Sequence, residues 1–183
     1  MKWSPCWVWE KGEIPDDICD YIINTFNEND YENGKIIEGV DKTSIRNVSI
    51  QFNNVNWINA LLCGYIRYAN SENFNYNLSD VDKESAQISR YSEGEYYQEH
   101  TDFGEGKSFT RKLSLTVQLS DENDYEGGDL ILRNDMLGIN GAGSRGKGSV
   151  IVFDSRTLHQ VTPVTSGTRY SLVKLYHGDE PLK

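Results

Sequence analysis

Cysteine is scarce in this chain: Cys6, Cys19 and Cys63 are the only three among 183 residues. An odd, widely spaced set gives neither a disulfide framework nor the paired spacing of a zinc site. Three reduced, mostly buried thiols in a cytoplasmic protein are the expectation. Positive charge is also short. Lys and Arg number 18 against 28 Asp and Glu, a formal charge of −10. Such a surface repels phosphate backbones and anionic membranes, so neither nucleic acid nor a membrane is expected as a partner. No apolar run approaches the ~20 residues of a spanning helix. The stretch Trp3–Trp9 is apolar, but Glu10 closes it before it reaches the length of a signal-peptide core. Histidine occurs 3 times, so imidazole chemistry must draw on His100, His159 and His177.

Against these shortages stand 11% aromatic and 37% hydrophobic residues. They argue for a packed core despite a mean hydropathy of −0.61. The length suits a single domain over 1–183, with 1–80 as a mostly helical support and 81–178 as the core. Pro15-Asp16-Asp17 is a helix start, and Ile18, Tyr21, Ile22 and Phe26 give 16–28 one apolar face. A second helix fits 54–71, through Val55, Ile58, Leu61, Leu62, Tyr65 and Ile66. Residues 44–52 read as extended. Past Asn70 the period changes to two. Strands are predicted at 74–78, 86–91, 96–100, 112–119, 129–133, 148–153, 158–161 and 168–176. Thr165-Ser166-Gly167 reads as a turn, Gly127-Gly128 as a tight turn needing positive φ, and the glycine-rich stretch 138–148 as a mobile loop. Two helices followed by seven or eight short strands suggest a mainly β sandwich or barrel with flanking helices.

His100 and Asp102 stand two apart at a strand end, on one face. Taken alone, that is also the pattern of two solvated polar residues. The apolar strand 148–153 leads to His159, and Arg169 follows ten residues later. His159 alone reads as a core histidine, and Arg169 alone as one half of an ion pair. Together, two His and one Asp compose the 2-His-1-carboxylate set that leaves positions open on Fe(II). A nearby Arg suits a dicarboxylate, since its fork holds a carboxylate bidentately. Arg111 reads as a surface charge, with reaching the substrate as the alternative, Glu126 and Asp129 as turn polars, and His177 as an exposed C-terminal residue.

The chain resembles the Fe(II)- and 2-oxoglutarate-dependent dioxygenases, most of all the prolyl-4-hydroxylase branch and its microbial and viral relatives. The resemblance covers Ala86 to Tyr176. It rests on Tyr91-x-x-Gly94-x-x-Tyr97-x-x-His100-x-Asp102, on Arg111 through Leu119, and on Tyr125-Glu126-Gly127-Gly128-Asp129-Leu130. Gly148-x-x-x-x-Phe153-x-Ser155-x-x-Leu158-His159-x-Val161-x-Pro163-Val164 and Gly167-Thr168-Arg169-Tyr170-Ser171-Leu172 complete it. It implies a double-stranded β-helix, the cupin-like jelly roll. His100, Asp102 and His159 match the iron ligands, and Arg169 matches the residue that pairs with the distal carboxylate of 2-oxoglutarate. Tyr91 falls where a cosubstrate-contacting tyrosine is common; a core aromatic beside a turn is the other reading. Gln118 stands where several relatives carry a supporting tyrosine. Thr116 and Ser114 share its strand face, toward the pocket or toward solvent.

The implied cofactors are Fe(II), 2-oxoglutarate and O₂, with ascorbate as an optional addition. The implied reaction is oxidative decarboxylation of 2-oxoglutarate coupled to hydroxylation of an unactivated C–H, with Asp102 favouring hydroxylation over halogenation. The expected partner is a peptide or protein substrate carrying proline. A free amino acid or small metabolite is the alternative, and a non-catalytic jelly-roll binding module a more distant one. Specificity is expected in loops 30–45, 103–110 and 134–147.

Overall fold

The computed structural model describes residues 4–25, 32–33, 45–134 and 139–180. In chain order the elements are β1 (Cys6–Trp9), α1 (Asp16–Thr25), β2 (Glu32–Asn33), β3 (Arg46–Asn47), β4 (Ser49–Phe52) and α2 (Asn56–Ala69). Then come β5 (Gln87–Tyr91), β6 (Tyr96–His100), β7 (Arg111–Gln118), β8 (Tyr125–Gly127), β9 (Leu130–Asn134) and β10 (Ile139–Ala142). β11 (Val150–Asp154), β12 (Leu158–Val161), β13 (Val164–Gly167) and β14 (Arg169–His177) close the chain. Seven strands pair antiparallel in the order β1-β11-β7-β14-β5-β4-β2, and five in the order β10-β9-β12-β6-β3; β13 and β8 form a two-stranded ribbon. The architecture is the expected double-stranded β-helix.

Alternation along the strands builds two interiors from one sheet. Leu113, Leu115 and Val117 of β7, with Ile88, Val150, Val152 and Leu172, turn to the helix side. There they pack against Cys19 and Ile22 of α1 and Ile58, Leu62, Ile66 and Ala69 of α2. The other face of the same strands carries Ser89, Tyr91, Thr116, Arg169 and Ser171 and lines a cavity between the sheets. That face of β7 is buried rather than solvated.

The structure departs from the sequence expectation in four places. Phe74–Leu78 is not a strand. A π-helical turn at Asn70–Phe74 extends α2. Asn75 then takes φ 56°, which asparagine tolerates better than most residues. The Asn70 amide bonds both the N–H and the C=O of Tyr76 and locks that bend, and only Leu78 bridges, to Gly178. The N-terminal support is not only helical: besides β3 and β4, which fall in the stretch 44–52 read as extended, it contributes β1 and β2, with β1 pairing on β11 and β2 on β4. Part of the glycine-rich loop is β10, a hairpin partner of β9. The 165–167 turn lies within β13, paired with β8. In the last three cases a waiting strand edge supplies hydrogen bonds that no local pattern announces. Of the helix expected over 16–28, residues 26–28 lie outside the described residues, as do 30–31 and 34–44 of the loop 30–45 and 135–138 of the loop 134–147.

Gly148, with φ 78°, ties the N-terminal segment to β11. A Cβ there would lie 2.0 Å from the Ile14 carbonyl oxygen. Lys174 on β14 is fully buried. Its ammonium donates to both Asp82 carboxylate oxygens at 2.7 Å, to Asn59 Oδ1 at 3.4 Å and to the Glu84 carbonyl. Removing one partner of such a pair costs more than removing the charge that is buried, because the ammonium has no route to water. Asp82→Ala is therefore expected to lower unfolding free energy by about 3 kcal/mol, and Lys174→Met by less than half of that, in urea titrations. The reverse order would show that Lys174 reaches solvent when unpaired.

Candidate active site

Strand register makes the first contact of the site. His159 on β12 pairs directly across from His100 on β6, and their ring centroids lie 4.2 Å apart. Beyond β6 the chain bends, and the N–H groups of Asp102 and Phe103 both donate to the Ser155 carbonyl, at 3.0 and 2.9 Å. That bend swings the Asp102 carboxylate back between the imidazoles. His100 Nε2 lies 3.8 Å from Asp102 Oδ1, and His159 Nε2 lies 3.5 Å from Asp102 Oδ2. One donor atom from each of the three falls within 4.8 Å of the others, the spacing that a single metal ion requires.

Each histidine is oriented by its own strand. The Nδ1 atoms sit 2.7 Å from the Gln98 carbonyl and 2.9 Å from the Thr157 carbonyl, two residues back in each case. A carbonyl only accepts, so Nδ1 carries the proton and the Nε2 lone pair faces the centre. Burial, with His159 alongside, pushes the His100 imidazole down to about 4, so it is neutral near pH 7. Burial alone would raise the Asp102 carboxyl. The two imidazoles, the Ser114 hydroxyl and Arg111 outweigh it and hold the group below its ordinary value. Imidazole Nε2 lone pairs and a carboxylate are the donor set that a divalent cation takes.

The supporting groups are ones the sequence reading undervalued. Ser114 Oγ donates to Asp102 Oδ2 at 2.6 Å and lies 3.0 Å from Ser155 Oγ. Arg111, expected on the surface, donates to the Asp102 carbonyl at 3.0 Å and is held by both Glu84 oxygens, at 2.9 and 3.0 Å. His177, expected to be exposed, is 4% exposed, with Nε2 3.1 Å from Glu84 and Nδ1 2.8 Å from Thr110 Oγ1. Its place at the end of β14, beside β7, buries it; nothing in the neighbouring residues signalled that. Asp129, read as a turn polar, pairs with Arg145.

The cavity has a volume of about 750 Å³ and takes in His100, Asp102, His159, Tyr91, Thr116 and Arg169. Arg169 lies opposite Tyr91 in the β14/β5 register, and its guanidinium carbon is 5.5 Å from the Tyr91 ring centre. It is 4% exposed. Its Nε donates to Gln118 Oε1 at 3.1 Å and Nη1 to Ser171 Oγ at 3.4 Å. Gln118 spends its NH₂ on the Ser120 carbonyl and the Tyr125 hydroxyl, both at 3.1 Å. It stands behind Arg169 rather than in the cavity wall. Gly128 leaves the space Arg169 needs, since a Cβ there would lie 3.2 Å from Arg169 Cδ. Among the described residues no carboxylate pairs with this buried cation. A buried guanidinium without a protein counter-ion fits an anionic ligand.

A His–Asp–His cluster with open positions, inside a double-stranded β-helix, is the arrangement of mononuclear non-haem iron oxygenases. Residues 86–177 match the model of the 2OG-Fe(II) oxygenase superfamily, and the chain belongs to that superfamily. A PKHD-type hydroxylase of Idiomarina loihiensis is 34% identical over 90 residues, which cover 47% of this chain and 38% of that protein. One from a Synechococcus strain is 41% identical over 92 residues, with the same 47% and 38% coverage. The chain thus spans well under half the length of these relatives. In structure, a Pseudomonas putida prolyl-4-hydroxylase superposes with TM-score 0.73 at 17% identity, covering 95% of this chain and 92% of that one. A Trichoplax adhaerens prolyl hydroxylase, in complex with a hypoxia inducible factor peptide fragment, gives 0.76 at 16% identity, covering 96% and 84%. At such identities the likeness is one of fold.

His100→Ala and His159→Ala are each expected to abolish stoichiometric Fe(II) binding in anaerobic calorimetry, with far-UV circular dichroism unchanged. Ser114→Ala should keep the site but weaken it by roughly 10–100-fold, the usual cost of losing a group that orients a ligand. An unaltered affinity in Ser114→Ala would mean that its hydroxyl does not position Asp102.

Proposed function

We propose that this protein is an Fe(II)- and 2-oxoglutarate-dependent hydroxylase of an unactivated C–H bond, acting on a prolyl residue of a peptide or protein. One observation carries the reading: a cation-binding His–Asp–His cluster and a buried, unpaired guanidinium share one cavity. His100, Asp102 and His159 hold the iron and leave its remaining positions open. Arg169 takes the distal carboxylate of 2-oxoglutarate in its fork. Gln118 fixes Arg169 through Nε and Ser171 takes one N–H of Nη1, so Nη2 and the second N–H of Nη1 stay available to the ligand; Gln118 acts on the cosubstrate through Arg169 rather than by contact. Tyr91 and Thr116 close the cavity around that end and offer hydroxyls to the same ligand. With O₂, iron and 2-oxoglutarate supply the oxidising power to hydroxylate the substrate, and 2-oxoglutarate leaves as succinate and CO₂. Ascorbate serves to keep the iron reduced.

Several features support a peptide as substrate. The Trichoplax neighbour is a peptide complex. The cavity continues past the metal cluster to Phe52, Gln87, Val173 and Leu175, more room than a dicarboxylate fills. A net charge of −10 opposes a nucleic-acid substrate. Among the described residues no helix is long and apolar enough to cross a membrane. Burial raises the pKa of the free thiols Cys6, Cys19 and Cys63, which favours the thiol over the thiolate; a cytoplasmic site of action is part of the proposal.

The protein with Fe(II) and ascorbate is expected to convert 2-oxoglutarate to succinate, and proline-containing peptides should stimulate this and gain one oxygen atom. Arg169→Ala should raise the KM for 2-oxoglutarate roughly 30-fold or more, since truncating one partner of a buried charge pair costs ~2–5 kcal/mol. Unchanged 2-oxoglutarate kinetics would move the anchor elsewhere. Turnover of free proline but not of peptides would move the substrate to the amino-acid class.

A further inference from the structure

A second arginine reaches the cavity. Arg46 lies on β3, the edge strand of the five-stranded sheet, and pairs with Tyr97 of β6. Its guanidinium carbon sits over the Tyr97 ring, 4.7 Å from the centre. Tyr97 in turn stacks on His100, with ring centroids 3.5 Å apart and planes 15° from parallel. All three side chains line the cavity wall, near Ile50 and Phe52 of β4. Arg46 Nε is buried and makes no hydrogen bond.

The charge pattern of the rest of the chain makes this position stand out. Acidic groups outnumber basic ones 28 to 18, and Arg67, Arg111, Arg133, Arg145 and Arg156 each have a carboxylate within ion-pair distance. Arg46 has none among the described residues, and in this it matches Arg169. A guanidinium with a buried, unbonded N–H, held against an aromatic face, is a preorganised receptor for a carboxylate. Arg169 already serves one end of the cosubstrate, and the metal cluster serves the other, so the anion at Arg46 must come from a different molecule.

We propose that Arg46, backed by Tyr97, forms a second carboxylate subsite, which binds the substrate and selects one with an acidic group close to the oxidised carbon. The proposal rests on the oxygenase reading for what happens at the metal, and on Arg46 itself for the anion. With one aromatic ring between Arg46 and the His100 imidazole, the acid group lies within about two residues of the reacting position, ~7 Å of extended chain. The carboxylate comes either from an acidic side chain of a peptide or from the α-carboxylate of a free amino acid.

Affinity selection with mass-spectrometric readout tests this on protein loaded with Mn(II) and 2-oxoglutarate. One arm offers C-terminally amidated, proline-containing peptides with Asp and Glu either free or methyl-esterified. The other offers free amino acids and their amides. Blocking the carboxylate should lower retention by wild type roughly tenfold or more. Arg46→Gln should bind both forms equally weakly, and Arg46→Lys, which keeps the charge without the fork, should fall between. The arm that responds identifies the source of the carboxylate. Retention indifferent to blocking, a carboxylate preference that survives Arg46→Gln, or no retention in either arm overturns the proposal. So does a rise in the KM for 2-oxoglutarate matching that of Arg169→Ala, which would assign Arg46 to the cosubstrate. Succinate formation is measured on a parallel preparation loaded with Fe(II) and 2-oxoglutarate in the presence of O₂ and ascorbate. Its absence, alongside a carboxylate preference that Arg46→Gln removes, would defeat the oxygenase reading and leave the subsite standing.

Discussion

The antiparallel register of β6 against β12 is the constraint on which the site depends. It sets His100 across from His159. A slip of one residue would turn one imidazole out of the cavity, since side chains change face at every step. What holds the register is apolar packing on the same face. Val161, two residues past His159, is buried with Val48, Ile50, Tyr91 and Val164, and Tyr97 packs on this group. The metal-facing pair and this small cluster therefore stand or fall together. Asp102 needs a different device, because it lies past the end of β6. The Ser155 carbonyl gathers its N–H, and Ser114 from the neighbouring strand bonds its carboxylate.

Helix packing reaches the site through β7. One face of this strand feeds the main core through Leu113, Leu115 and Val117, and the other presents Ser114, Thr116 and Gln118. The first of these bonds Asp102, the second lines the cavity and the third holds Arg169. Apolar burial on one side thus places polar groups on the other with little freedom to move, which is what positioned ligands require. The cost is a row of buried polar groups. Those of Ser114 and Gln118 are met by hydrogen bonds within the protein, as buried polar groups must be.

Charge is distributed with the same economy. In a chain with ten more acids than bases, two of the three arginines that line the cavity, Arg46 and Arg169, lack carboxylate partners among the described residues. Arg111 is the third, yet both Glu84 oxygens neutralise it, and its Nη1 donates to the Asp102 carbonyl. What separates Arg111 from Arg46 and Arg169 is that pairing and not burial.

Much of this could be read without coordinates. Local pattern carried α1, α2, β3 to β7, β9, β11, β12 and β14, because each has a period or a cap that its own residues supply. His100, Asp102, His159 and Arg169 stood out because their order and spacing form a joint pattern, and the fold brings them into one cavity. Tertiary structure alone decided the rest. β1, β8, β10 and β13 exist because a neighbouring strand offers unpaired N–H and C=O groups, and that edge is far away in sequence. Asn70 and Asn75 turned a predicted strand into a bend through side-chain hydrogen bonds, which hydrophobic alternation does not register. Arg111, His177 and Arg46 look like ordinary polar residues in the chain. Their roles depend on what lies across from them: Asp102 and Glu84 for the first, Glu84 and Thr110 for the second, Tyr97 and open cavity for the third. A sequence states which charges a chain carries, and only the folded chain states which of them are left without a partner.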